Sequence, residues 1–208
     1  MSYSSFKKQQ KLFENWRKFL NESEGISGFD PEQFPNPLPG ELSKSFMTKG
    51  YDDAPYDGNL DKDRSDDVVN SGNAEVSAKK LMPSQNAVFL GKALGMSMVP
   101  KLSQGGELGG VISGDNHILD GHHRWAATIL RTGGDVEIMG TKVDLPIKQL
   151  IPVLRAAGDA YGNPRKGEPK GGDLNVFSAE ATDPNVIKQM VEKGKYMDPK
   201  FYNQEKLK

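Results

Sequence analysis

The chain has 208 residues, no cysteine and a formal net charge of −1, enough for one domain of ordinary size with extensions. The near-neutral charge excludes a global basic field for recruiting nucleic acid, and the missing thiols exclude cysteine chemistry. A hydrophobic fraction of 36% with mean hydropathy −0.62 is low for a chain packed throughout, so substantial segments are expected outside the core.

Residues 4–22 read as an amphipathic helix with Phe6, Phe13, Trp16 and Leu20 on one face, while Lys7, Lys8, Lys11, Arg17 and Lys18 outweigh Glu14 and Glu22. Such a helix can lie on a membrane surface or dock in a partner's groove, but more often packs on its own domain or a neighbouring subunit; docking to protein in this sense is the expectation. Residues 23–73 carry no sustained period. Pro31, Pro35, Pro37, Pro39 and the acidic run from Asp52 to Asp67 read as an extended or disordered linker. Asp57, Asn59, Asp61 and Asp63 alternate like calcium ligands, but Lys62 stands where the loop needs glycine and no glutamate closes it. The run reads as a solvated linker.

Residues 74–158 are expected to form the folded core. Glu75 to Leu81 reads as a strand, and Ser84 to Met96 as a helix burying Val88, Phe89, Ala93 and Leu94. Gly105, Gly106, Gly109 and Gly110 read as a flexible loop, either a connector or a lid. Val111–Ser113 and His117–Leu119 read as strands joined by the turn Gly114-Asp115-Asn116. Val136–Met139 and Thr141–Leu145 read as two strands around Gly140, and Ile147–Ala157 as a helix stopped by Gly158. Residues 159–208 read as a Gly/Pro/Lys-rich arm, with Arg165, Lys166 and Lys170 among turn formers and a short helix from Asn185 to Lys193. No apolar run approaches 18 residues, so no membrane span is expected, and the absence of a secretory pattern leads to a cytoplasmic expectation.

The densest chemistry lies in Asp120-Gly121-His122-His123-Arg124-Trp125-Ala126-Ala127. All three histidines, His117, His122 and His123, fall within seven residues. Ala126, Ala127, Ile129 and Leu130 recur at helical spacing until Gly133-Gly134. Gly121 therefore stands at a strand-to-helix junction, where the first turn presents unpaired N–H groups and a positive dipole end to an anion. Arg124 adds a planar donor fork suited to phosphate. Asp120 is placed to orient an imidazole, cap the helix, hold a metal or act as a base. Adjacent histidines on a helix point about 100° apart and do not easily share one ion. The box reads as a phosphate cradle. Its bland counterpart is an ordinary helix cap with polar decoration, with His117 a strand residue near the site and Trp125 core.

This box resembles the signature of the ParB/sulfiredoxin superfamily. Upstream, Val76-Ser77-Ala78-Lys79-Lys80-Leu81-Met82-Pro83-Ser84-Gln85 is similar to that family's opening strand and the Pro-Ser/Thr-Gln step that starts its first helix. The resemblance covers about residues 74–157, under half the chain. It implies an α+β fold, a small mixed sheet with packed helices, flanked here by irregular N- and C-terminal arms. It also implies binding of a nucleoside triphosphate, ATP or CTP, with Mg2+. By position, Gly121 and Arg124 match the phosphate contacts, and Ser84 and Gln85 are further nucleotide contacts. His122 stands where sulfiredoxin has its catalytic cysteine and ParB a glutamate; His123 matches a histidine of the one and an arginine of the other. Lack of cysteine excludes sulfiredoxin activity, and the missing glutamate departs from the ParB clamp. The Asp-Gly-His-His-Arg form is similar to free-serine-kinase-like and phage-encoded ParB-like members. That implies Asp120 as base or metal ligand, with His122 and His123 stabilising phosphoryl charge. Nucleotide hydrolysis or phosphoryl transfer, in a host cytoplasm or a virion, is the expectation. A nucleic-acid-binding protein or nuclease, and a phage assembly protein with a vestigial site, stand beside it as alternatives.

Overall fold

The computed structural model describes residues 11–12, 14–19, 22, 71–85, 87–151, 154 and 174–192. Expectations for residues 1–10, 23–70, 155–173 and 193–208, including the acidic run, the calcium-like spacing and the basic arm, lie outside the described residues.

Strands β1 (Ser71–Ser77), β2 (Met82–Pro83), β3 (Gly106–Ser113), β4 (His117–Asp120) and β5 (Glu137–Val143) form one mixed sheet in the order β1-β5-β3-β4-β2. The pairs β1–β5 and β3–β4 are antiparallel, while β3–β5 and β2–β4 are parallel. The turn Gly114-Asp115-Asn116 closes the β3–β4 hairpin, with Asn116 in the left-handed region at φ 66°. Asp115 organises this turn: its Oδ1 accepts from Ser113 Oγ and from the Ile147 N–H. Burial by itself raises its pKa, but these bonds together with His117 outweigh it and hold the carboxyl below its usual range.

Helices α1 (Leu90–Ser97), α2 (Pro100–Ser103) and α3 (His122–Thr132) pack beside the sheet, and α4 (Pro184–Glu192) lies near the C-terminus. The mixed α+β architecture agrees with the sequence expectation. α3 buries Trp125, Ala126, Ile129 and Leu130 and ends at Gly133, which takes φ 75° as its cap. In α4 the Asp183 carboxylate accepts the Asn185 N–H, which explains why the helix starts at Pro184.

The described N-terminal helical residues, 11–12 and 14–19, belong to the same core. Trp16 and Phe19 are buried, and both meet Trp125 edge-on at 6.2 Å and 5.6 Å between ring centroids. Asn15 Nδ2 donates to the carbonyls of Leu130 and Arg131, covering the C-terminal end of α3. The C-terminal segment joins as well: Val176 is buried, its carbonyl accepts from Trp16 Nε1, and its N–H donates to Val88. Among the described residues no helix is long and apolar enough to cross a membrane.

Several expected boundaries are corrected. The first strand begins at Ser71, inside the stretch read as linker, and gives way to a 3-10 turn at Ala78–Lys80. The helix expected from Ser84 starts at Leu90, because the backbone N–H groups before it are committed to partners elsewhere in the fold. The glycine stretch read as a loop is the first half of β3. The strands expected on either side of Gly140 are one strand. There a Cβ on Gly140 would lie 2.5 Å from the Gly110 carbonyl oxygen, so glycine is what lets β3 and β5 pair.

Candidate anion site at the start of the signature helix

Residue Gly121 takes φ 94°, which glycine adopts without strain, and this left-handed step turns the end of β4 into α3. No side chain caps the first turn of α3. The Asp120 Oδ1 accepts the N–H of Gly121 itself at 2.8 Å, one residue short of the helix. The opposite end of α3 is closed by Asn15, so the open, positive end faces the box.

Arg124 lies over this opening. Its Nη2 would be 3.7 Å from a Cβ placed on Gly121, and it donates to the Gly109 carbonyl at 3.2 Å. The Asp120 Oδ2 is 3.9 Å from the same nitrogen, too long for a strong bond. The Asp120 side chain is 75% exposed and that of Arg124 30%. Gly109 reaches the guanidinium because the β3–β5 register slips between Glu107 and Gly110, leaving a bulge with Gly109 at φ 59°.

The two histidines of the box face another way. Nε2 of His122 accepts the backbone N–H of Ser84 at 3.1 Å, and Nε2 of His123 accepts that of Phe89 at 3.1 Å. A backbone amide can only donate, so each Nε2 is unprotonated and the ring proton is on Nδ1. The His123 ring also stacks on Phe89 at 5.6 Å. Both rings are held neutral. Burial pushes the His122 pKa down to about 4, offset in part by the Asp120 charge and a bond to the Ile118 backbone. Burial also takes His123 to about 4, assisted by the positive charge of Lys92 and by the electrostatic influence of the neighbouring His122.

These bonds tie residues 84–85 and 87–89 across the start of α3. Their far side is gripped by the C-terminal segment: Asn175 Oδ1 accepts from Val88, and the Leu174 carbonyl accepts from Leu90. This stretch could not be read from a local pattern, since its partners lie 34 and 87 residues away.

The structure thus brings Asp120, Gly121 and Arg124 together around one opening, with His122 and His123 directly behind it. Ser84 adjoins them, but its buried hydroxyl donates inward to the Ile118 carbonyl at 2.7 Å. Gln85 is exposed on the same segment. His117 sits at the other end of β4, with Nδ1 3.2 Å from Asp115, and at about 3.3 Å per residue it is roughly 10 Å from Asp120. Trp125 is core, its Nε1 donating to the Ala78 carbonyl. Sequence reading places Gly109 in a loop, either a connector or a lid, and misses Glu107; both border the opening because of the bulge in β3.

Among the described residues no group of three or more His, Asp or Glu side chains is disposed to hold a metal ion. The carboxylates at the opening are Asp120 and Glu107, the latter engaged through Oε1 with the Gly109 N–H. A Mg2+ ion that keeps several waters and shares phosphate oxygens needs no more than one or two carboxylates from protein, so Asp120 fits that role and a closed cage does not.

Comparison with protein-family models, with curated proteins and with solved structures finds no match to this chain.

Proposed function

We propose that the start of α3 is a phosphate cradle and that the protein binds a nucleoside triphosphate, ATP or CTP with Mg2+, for hydrolysis or phosphoryl transfer, as a ParB/sulfiredoxin-like domain. One arrangement carries this reading: a helix that opens on a glycine with no capping side chain, under a guanidinium anchored by one edge to a backbone carbonyl. Helix dipole and orphan N–H groups together contribute about 0.3–1 kcal/mol toward an anion at an exposed site. A charge-assisted bond from Arg124 contributes about 1.5–3 kcal/mol, so the arginine dominates.

In this reading Gly121 lets phosphate oxygens approach the backbone, and Arg124 spreads its remaining donors toward them. Asp120 is the carboxylate placed to receive a proton or to hold Mg2+ through Oδ2, since Oδ1 is engaged with Gly121. Bound Mg2+ supplies charge neutralisation of the phosphates. The neutral His122 and His123 orient residues 84–85 and 87–89, with Gln85 exposed beside the opening, and do not themselves carry positive charge to the phosphates. Thermal-shift titration with ATP, CTP and GTP plus magnesium tests the reading. A rise in Tm that Arg124→Ala abolishes supports it; no rise with any of the three refutes it.

A further inference from the structure

The bulge in β3 contains a feature that the cradle alone does not require. Glu107 is exposed, and its Oε1 accepts the Gly109 N–H at 2.9 Å. The carbonyl of Gly109 accepts from Arg124 Nη2 at 3.2 Å. Gly109 is therefore gripped at both polar groups, by a carboxylate on its N–H and by a guanidinium on its C=O. The left-handed φ of 59° leaves the residue little intrinsic preference for this orientation, since glycine samples both signs of φ. A Cβ at this position would also sit 3.4 Å from Arg124 Nη1, so the arginine lies directly against the bulge.

We propose that Glu107 is a positioning residue for Arg124, acting through the Gly109 backbone, so that removing this acidic side chain weakens anion binding at α3. The inference rests on the cradle reading above and adds a residue to it. Coulomb's law alone gives the opposite sign. Deleting an exposed negative charge near an anion site raises affinity, by a small amount that salt screens. Positioning gives a loss. Without the Glu107 acceptor the peptide group before Gly109 is released, the glycine's φ and ψ are freed, its carbonyl on the following peptide leaves the guanidinium, and the ligand must bear the entropy of ordering both. The sign of the effect separates the two.

The experiment is isothermal titration of the full chain with inorganic tripolyphosphate at fixed ionic strength, comparing wild type with Glu107→Ala, Glu107→Gln and Arg124→Ala. Gln keeps an oxygen that accepts the same N–H but carries no charge. The expected result is a loss of about fivefold for Glu107→Ala, the worth of one ordinary hydrogen bond, with Glu107→Gln within about twofold of wild type. A gain in affinity for Glu107→Ala, or equal effects in the Ala and Gln variants, overturns the positioning role while leaving the cradle intact. Tripolyphosphate binding that is absent in wild type, or unaffected by Arg124→Ala, overturns the cradle and this inference with it. Because Glu107 is exposed, its two variants are expected to melt at the wild-type Tm, which separates positioning from a loss of fold.

Discussion

The imidazole of His123 lies stacked on the ring of Phe89 while its Nε2 accepts the backbone N–H of that same residue. One turn residue of α3 thus holds both the side chain and the main chain of a residue 34 positions upstream. With His122 on Ser84, this makes the histidine pair a clamp that depends on both rings staying neutral.

That dependence fixes the response to acid. Both folded-state pKa values are depressed from 6.5 to about 4, so below 6.5 the unfolded chain binds protons that the native state does not. The clamp's contribution is complete above pH 6.5 and is lost as pH falls through the window down to about 4. Each histidine adds at most about 1.4 kcal/mol per pH unit to the slope there. Urea unfolding between pH 7 and 4 is expected to show stability falling steeply below 6.5, with a shallower slope in His122→Gln and His123→Gln.

His122→Ala is expected to cost about 2–4 kcal/mol, combining a cavity with an unsatisfied Ser84 N–H in a buried setting. His122→Gln, which offers an oxygen near the position of Nε2, is expected to lose less. Equilibrium denaturation gives both values; equal losses would show that packing and not the acceptor matters.

Two glycines make a contrasting pair. Gly140→Ala drives a methyl into the Gly110 carbonyl between paired strands and is expected to cost about 3 kcal/mol, because two backbones have to part. At Gly121 the nearest atoms to an added Cβ are 3.6 Å away, so space is adequate and only the left-handed φ is penalised. Gly121→Ala is expected to cost about 1–2 kcal/mol. Differential scanning calorimetry of the two variants checks the order.

The N-terminal helical residues are expected to behave as core. Trp16→Ala should lose about 3–5 kcal/mol, and Asn15→Ala about 1 kcal/mol through the exposed end of α3. A wild-type Tm for Trp16→Ala would place that helix outside the folding unit.

Local chemistry made much of this legible. The Gly114-Asp115-Asn116 turn and the helix from the Asp-Gly step to Gly133 were readable because each is decided by residues within a few positions. So was the cluster Asp120, Gly121 and Arg124, which is contiguous in sequence. What escaped was decided at a distance. Segment 84–89 has a helical apolar pattern, yet its N–H groups are taken by His122, His123 and Asn175. The Gly106–Gly110 stretch has loop composition, yet Gly110 pairs with Gly140 in a close approach that only glycine permits. For the same reason the Glu107–Gly109–Arg124 chain was invisible, and the neutral roles of the two histidines could not be separated from charged ones without their partners.

The most direct test of the phosphate cradle is the affinity of wild type and Arg124→Ala for Mg·ATP and Mg·CTP, measured by isothermal titration at pH 7.5. The account predicts measurable binding of at least one nucleotide and a loss of about 10- to 100-fold on removing the guanidinium, the worth of a charge-assisted bond, with Tm unchanged in the absence of ligand. No measurable binding of either nucleotide, or an affinity for the bound nucleotide that is the same in the two proteins, would contradict it.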